Sequence, residues 1–329
     1  MARLRIATFN LESLDDEPGA VPALSQRIAV LRPQLRRLEA DLLCFQEVNA
    51  QALARHLPRR LTALDHLLED TRYLGYNRAL TGPIAHDGPA ERHNLALLSR
   101  YPIAASRQIH HELVPPLSYR SVTASPPAKE ALMLSWDRPL LYGAIELPGG
   151  RRLHVLNLHL KAPLAVAIPG QKVSAAEWRS VGGWAEGFFL AAMKRAGQAL
   201  EARLVVERLF DADPSALIAV CGDFNAEARE TPVRVLIGDD SGGSGRARSE
   251  RMLVALEESV PAPRRYSVLH AGRPLLLDHV LVSPALAAWA QRVEIQNEGL
   301  SDEARDPLSA HPSLGSYHAP IVAEFEMAD

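Results

Sequence analysis

Polar and apolar positions along the chain change their period in a repeating order. Leu4 to Phe9 reads as a strand and stops at the polar Asn10-Leu11-Glu12. Leu24, Ile28, Leu31, Leu35 and Leu38 then fall four and three apart, which places them on one helical face, with Pro33 expected to kink or split that helix. A buried run follows, Leu42 to Phe45, ending at Gln46-Glu47. The same plan returns later. Leu153, Val155, Asn157 and His159 alternate with Leu156, Leu158 and Leu160; a helix is expected over roughly Ala185 to Phe210; and Leu217 to Cys221 ends at Gly222-Asp223-Phe224-Asn225. Two strand–helix–strand halves joined without a long linker predict one duplicated layered α/β unit over residues 1–329.

Further strands are expected at Asn94–Ser99, Leu140–Leu147, Leu275–Val282 and Ile321–Phe325, with a Pro/Ser-rich loop over Val114–Ala128 and a flexible one over Gly238–Gly245. Apolar residues at 47% and charged residues at 23% are ordinary globular values and exclude a disordered or fibrous chain. The 36 basic and 39 acidic residues give a net charge of −3, which excludes a broad basic surface but not a focused phosphate site. Cys44 and Cys221 lie in apolar runs and cannot form a disulfide framework. The opening residues are too short an apolar run for a leader, and Phe188–Met193 is too short to span a membrane, so a cytoplasmic protein with no membrane span is expected.

The chemistry-bearing residues collect at strand ends. Asn10 and Glu12, Asn157 and His159, and Asp223 and Asn225 are pairs two apart, and each pair projects to one side of an extended chain. Asn, Asp and Glu offer hard oxygen ligands for Mg²⁺ or Mn²⁺, and histidines offer proton transfer. Asp278 and His279 point to opposite faces, and Asp278 is taken as the one facing a site. No GxxxxGK[ST], GxGxxG or HExxH pattern is present, which removes support for nucleotide-triphosphate, dinucleotide and zincin readings. Trp178, Trp184 and Trp289 read as packing residues. Arg55, Arg59 and Arg60, like Arg246, Arg248 and Arg251, read as solvated basic runs, and Glu91-Arg92-His93 as a charged tripeptide of a kind that recurs by chance, with support of a catalytic histidine as the weaker reading.

Thr8-Phe9-Asn10-Leu11-Glu12, Gln46-Glu47-Val48, Asn157-Leu158-His159, Gly222-Asp223-Phe224-Asn225, Leu277 to Ser283 and Ser316-Tyr317-His318-Ala319-Pro320 come in an order that resembles the endonuclease/exonuclease/phosphatase superfamily. The resemblance implies a four-layered α/β/β/α sandwich, with two mixed sheets face to face and helices outside. It implies a divalent-metal-dependent phosphoesterase acting on phosphodiesters by in-line attack of water, with nucleic acid, DNA or RNA, as the first substrate class. A small-molecule or lipid-headgroup phosphodiesterase or phosphatase, or a non-catalytic binding protein, are the alternatives. On this likeness Glu47 holds Mg²⁺ or Mn²⁺ with Asn10 and Glu12 beside it. Asp223 orients or activates water, and Asn225 holds a phosphate oxygen or a second ion. His159 is the general acid, Asp278 pairs with an imidazole, and His318 binds the scissile phosphate. Tyr317 stands where the family usually has Asp, with Asp302 and Asp306 as candidate substitutes.

Overall fold

The computed structural model describes residues 2–52, 58–83, 88–239, 249–304 and 313–327. In chain order the elements of the first half are β1 (Ala2–Leu14), α1 (Leu24–Leu38), β2 (Leu42–Val48), α2 (Thr62–Leu68), β3 (Asn77–Leu80), β4 (Asn94–Ser99), β5 (Ile103–Ile109), β6 (Leu117–Tyr119), β7 (Leu132–Leu134) and β8 (Leu140–Leu147). The second half holds β9 (Arg151–His159), α3 (Val181–Ala212), β10 (Leu217–Asp223), α4 (Thr231–Ile237), β11 (Val254–Ala255), β12 (Val268–His270), β13 (Arg273–Leu275), β14 (Asp278–Val282), α5 (Pro284–Ala287), β15 (Ala290–Ile295) and β16 (Ile321–Met327).

Two six-stranded sheets form, in the orders β15-β16-β1-β2-β4-β3 and β11-β14-β10-β9-β8-β5. The pairs β1/β2 and β9/β10 are parallel and the others antiparallel, so both sheets are mixed. The two parallel pairs are the strand–helix–strand repeats, crossed by α1 and α3.

Alternation along the strands assigns every layer. Leu4 and Ile6 of β1, Leu42 and Cys44 of β2, Leu153 and Val155 of β9, and Ala219 and Cys221 of β10 share one core between the sheets. The opposite parity faces helices. Ala7, Phe9 and Phe45 pack on Leu31, Leu35 and Leu38 of α1, while Leu156, Leu158, Ile218 and Val220 pack on Ala199, Ala202, Val206 and Phe210 of α3. This is the expected α/β/β/α sandwich.

Three details differ from the sequence reading. Pro33 does not split α1, because it lies on the solvent side together with Ala29, whose carbonyl loses its helical partner in water rather than in the core. The run Leu275–Val282 is not one strand. Ser267 Oγ accepts the backbone N–H groups of Leu277 and Asp278, both at 3.1 Å, and divides the hairpin strand β13 from the sheet strand β14. The Val114–Ala128 loop contains β6, which pairs with β7. The Gly238–Gly245 loop falls mostly outside the described residues.

Above the apolar part of the inter-sheet core lies a polar belt. Asn157 donates to the carbonyls of Phe45 (3.0 Å) and Ala96 (3.1 Å) in the facing sheet, and its Oδ1 accepts from Gln46 Nε2 at 2.7 Å. Gln46 Nε2 also reaches Thr8 Oγ1 at 3.1 Å. Asn157 is fully buried and acts as a clamp between the sheets. Its replacement by alanine leaves several buried groups unsatisfied at once. Asn157→Ala is expected to lower the unfolding free energy by about 2–4 kcal/mol in urea denaturation; an unchanged midpoint would show that the belt does not hold the sheets together.

Candidate active site

The same inward parity that buries leucines at one end of the sandwich delivers polar groups at the other. Beyond Ile6 on β1 come Thr8 and Asn10; beyond Val155 on β9 come Asn157 and His159; beyond Cys221 on β10 comes Asp223. Register then sets them side by side, with Asp223 opposite His159 on β9 and opposite Asp278 on β14. Gly222 makes this register possible. Its φ is +144°, and a Cβ there would lie 2.0 Å from the carbonyl oxygen of Leu158.

Glu47 does not follow parity. Gln46 points inward, so a regular strand would turn Glu47 toward α1. The β1/β2 register shifts between Asn10 and Leu14, the β2/β4 register between Phe45 and Val48, and Glu47 has φ 59°. These irregularities aim its carboxylate into the inter-sheet cleft, where Oε2 accepts from Ser13 N and Ser13 Oγ, both at 3.0 Å. Glu12, Ser13, His93 and Asn225 also have φ between 48° and 57°, a conformation that costs roughly 1 kcal/mol or more per non-glycine residue and clusters where geometry must be forced.

The structure brings Asn10, Glu12, Glu47, His159, Asp223, Asn225, Asp278 and His318 into one cleft. Asn10 Nδ2 lies between two carboxylates, 3.3 Å from Glu47 Oε1 and 3.0 Å from Asp223 Oδ2, while its Oδ1 accepts the Glu12 N–H at 2.9 Å. Asn10 therefore presents its amide hydrogens to the acids. His159 Nε2 is 3.6 Å from Glu47 Oε1 and 3.4 Å from Asp223 Oδ2. Asn225 closes a turn on Asp223, with its N–H 2.8 Å from Oδ1 and its Nδ2 3.1 Å from Oδ2 and from the Leu160 carbonyl. Asp278 Oδ2 pairs with His318 Nδ1 at 2.7 Å, so the imidazole that Asp278 takes is His318. His279 faces away, buried between Glu257 and the Ala226 carbonyl.

Burial and charge disturb these groups strongly. Desolvation pushes Asp223 up to about 7, with the Asp278 and Glu47 charges adding to the rise and His318 opposing it. Desolvation also raises Glu12, partly countered by His318 and by the Tyr317 N–H. Burial opposes ionisation of Glu47 as well, but His93, Arg138 and hydrogen bonds from Ser13 and Asn10 prevail and hold it below the usual range. His159 is held well below its ordinary value by desolvation and by the positive charges of Arg138, His93 and His318. His318 moves the other way: burial lowers it, but Asp278 and Asp223 raise it well above ordinary imidazole.

Arg138 was not foreseen here, and His93 takes the weaker of its two sequence readings. His93 Nδ1 stands 3.7 Å from Glu47 Oε2 and its ring meets the His159 ring edge-on at 6.4 Å, so Glu91-Arg92-His93 is not merely a chance tripeptide. Arg138 sits in a turn fixed by Asp137, which pairs with Lys161 at 2.9 Å and Lys194 at 2.5 Å. Glu47 and Asp223 act on its guanidinium, whose Nη1 is buried with no hydrogen-bond partner among the described residues. No local pattern marks Arg138 in the sequence, whereas His93 directly precedes β4 in the Glu91-Arg92-His93 segment. Asp302 instead accepts the N–H groups of Ala271 (2.9 Å) and Gly272 (2.6 Å) in the β12–β13 turn, and Asp306 lies outside the described residues. Arg27 of α1 steadies the mouth by donating to the carbonyls of Leu11 (2.6 Å) and Gly315 (3.2 Å). An adjoining cleft of about 320 Å³ is lined by Glu12, Asp15, Glu17, Arg92 and Tyr317 among others.

A family model described as Endonuclease/Exonuclease/phosphatase family matches residues 7–318. The chain belongs to that family. The family's members are hydrolases acting on phosphoesters. No curated protein matches the sequence. Among solved structures, a humanized D. rerio TDP2 is similar with a TM-score of 0.56 at 14% identity, over 99% of each chain. A family protein from Bacteroides thetaiotaomicron gives 0.58 at 17% identity, over 99% of this chain and 96% of that one. An AP endonuclease from Archaeoglobus fulgidus gives 0.50 at 17% identity, over 98% and 100%. At such identities the likeness is one of fold.

The donor set of this family member fits a hard divalent cation. Asp223, Asp278 and His318 place ligand atoms within 4.8 Å of one another, and Asp278 Oδ1 is buried without a donor among the described residues. The acids are oxygen donors, and both cysteines lie in the apolar core.

The raised Asp223 sets the sign of a pH effect. A carboxyl that binds its proton more tightly when folded adds stability below its ordinary value, and that stability is lost as pH rises toward the folded value. His318, raised by Asp278, acts in the same direction. In chelator, the urea midpoint is expected to fall between about pH 4 and pH 7, and Asp223→Asn to remove most of that fall. An identical slope in the variant would show that Asp223 is not the group under strain.

Proposed function

We propose that this protein is a divalent-metal-dependent phosphodiesterase whose site is the cleft between the two sheets. The observation that carries the reading is the meeting of Glu47 and Asp223 with a buried guanidinium nitrogen on Arg138 that has no hydrogen-bond partner among the described residues. The acids suit a cation, and the guanidinium suits an anionic phosphoryl group beside it.

Glu47, kept ionised by its neighbours, would be the principal residue to hold the ion, with Glu12 beside it and Asn10 orienting the acids through its amide hydrogens. Once bound, the ion supplies positive charge against phosphoryl oxygens and makes bound water more acidic. Asp223, raised to about 7, accepts a proton from attacking water near neutral pH. Asn225 and Asn10 fix its two oxygens in place. Arg138 receives the phosphate. His318, kept protonated by Asp278, holds the scissile group and returns a proton to the leaving oxygen. His159 is neutral until an anion enters; a phosphate beside Arg138 opposes the depression of its pKa and lets it share that transfer.

The substrate has two readings. Nucleic acid follows from family kinship and from the names of neighbours such as the AP endonuclease. A compact headgroup diester is favoured by a specific observation: the adjoining cleft carries Glu12, Asp15 and Glu17, while Arg92 already pairs with Glu17 at 3.3 Å, so a polyanionic strand meets negative charge.

Hydrolysis of bis-p-nitrophenyl phosphate with Mn²⁺ or Mg²⁺ tests the reaction. Asp223→Ala and His318→Gln are each expected to lower kcat by about 10²–10⁴-fold. Arg138→Met is expected to raise KM and lower kcat/KM without changing the metal concentration needed. Equal rates for wild type and Asp223→Ala would reject hydrolysis at this site. Plasmid nicking that weakens steeply with salt would favour nucleic acid, because each phosphate contact releases counterions.

A further inference from the structure

Helix α3 has 32 residues, far more than are needed to cover the sheet behind it. Its second half packs on sheet two through Ala199, Ala202, Val206 and Phe210. Arg195 donates to the Lys161 carbonyl at 3.0 Å and Gln198 accepts the Lys161 N–H at 2.8 Å, which places that part of the helix at the end of β9, two residues past His159. The helix runs back against β9, so its first half projects beyond the catalytic edge. At 1.5 Å per residue Trp184 lies about 16 Å further out than Arg195.

This projecting half is apolar on its solvent side. Val181 is 80% exposed, Trp184 44%, Phe188 38% and Phe189 49%. From Val181 to Met193 the one charged residue is Glu186, and it is turned inward, accepting the N–H groups of Val122 (2.7 Å) and Thr123 (2.8 Å). Trp184 therefore does not serve the packing role expected for it; it stacks on Phe188 at 5.4 Å in solvent. Phe189 contacts Tyr119, and beside them Leu132 and Met133 of β7 are exposed. On the other flank Val166 bonds to Gly187 and brings exposed Leu164 alongside. Such a concentration of apolar surface on one convex face marks an interaction site.

Charge around the face identifies the partner. The chain as a whole carries a net charge of −3. In the segments that flank the platform in sequence, Arg120 follows β6, Lys129 precedes β7, and Lys172 and Arg179 precede α3, against Glu130 and Glu177, so these segments carry a basic excess. Lys172 Nζ lies over the Trp178 ring at 4.4 Å and donates to the Ala175 carbonyl at 2.7 Å. Aromatic and aliphatic side chains on a helix face with basic residues around them are the composition of an interfacial lipid contact. No helix of the described residues is long and apolar enough to cross a membrane, so the contact is one of lying on the surface.

We infer that the first half of α3, with the β6–β7 hairpin and the loop after β9, docks on an anionic lipid surface and turns the catalytic edge toward it. The substrate consequence, a headgroup phosphodiester, rests on the hydrolase reading above; the docking does not.

Co-sedimentation of the full chain with phosphatidylcholine vesicles, with and without phosphatidylserine, tests the docking. Wild type is expected to bind, and more tightly with phosphatidylserine. The double variant Trp184→Ser/Phe188→Ser loses two large exposed apolar side chains and is expected to bind at least about tenfold more weakly. Leu200→Ser, an exposed change on the far half of the same helix, is expected to bind as wild type does, and circular dichroism checks that each variant is folded. Hydrolysis of bis-p-nitrophenyl phosphate is expected to be equal in all three, so a dead hydrolase that still binds vesicles would refute the hydrolase reading alone. The docking is overturned if wild type ignores both vesicles or if the double variant binds equally well. It is also overturned if the substitutions only dissolve a dimer of this chain or only release single-stranded DNA.

Discussion

The structure depends on one alternation shared by facing strands. Each central strand presents one face to the space between the sheets, and that face is apolar for half its length and polar for the rest. Leucines, valines and the two cysteines fill the first part; Thr8, Gln46 and Asn157 close it with hydrogen bonds between the sheets; and acids and imidazoles occupy the end. Moving any of these strands by one residue would exchange core and site together, so the fold and the chemistry are held by the same register.

The cost of that arrangement is electrostatic. Three carboxylates share a region from which water is largely excluded, and the molecule relieves the repulsion differently at each. Glu47 has His93, Arg138 and two hydrogen bonds from Ser13; Asp278 has His318; Asp223 has amide donors and is left with a raised pKa. Arg138 is the inverse case, a half-buried cation whose buried Nη1 has no hydrogen-bond partner among the described residues. A site holding both kinds of incomplete charge is suited to a ligand that is itself a cation and an anion together, as a metal-bound phosphate is.

Most of this was legible along the chain where strand parity alone decides position. Asp223 and His159 follow from counting by two; the two strand–helix–strand units predict a duplicated layered α/β plan, and the four layers came from the family resemblance. The reading failed where the backbone leaves regular geometry or where a loop returns from a distance. Glu47 enters the cleft through a bulge and a left-handed φ that parity cannot anticipate, and the family motif, not the spacing, pointed to it. His93 and Arg138 come from turns whose direction depends on tertiary contacts such as Asp137 with Lys161 and Lys194. Trp184 was misplaced because a tryptophan in a helical apolar run reads as core, and nothing in the run reveals that the helix outlasts its sheet.

The long helix carries an exposed apolar face beside the cleft. The catalytic reading requires that the buried acids bind a divalent ion. Titration of the chelator-stripped protein with Mn²⁺, followed by loss of the free-ion paramagnetic resonance signal, measures that property directly. Saturable binding displaced by Mg²⁺ and abolished by Glu47→Gln is the predicted result; a protein that takes up no Mn²⁺, or takes it up equally with Gln at position 47, would contradict the account.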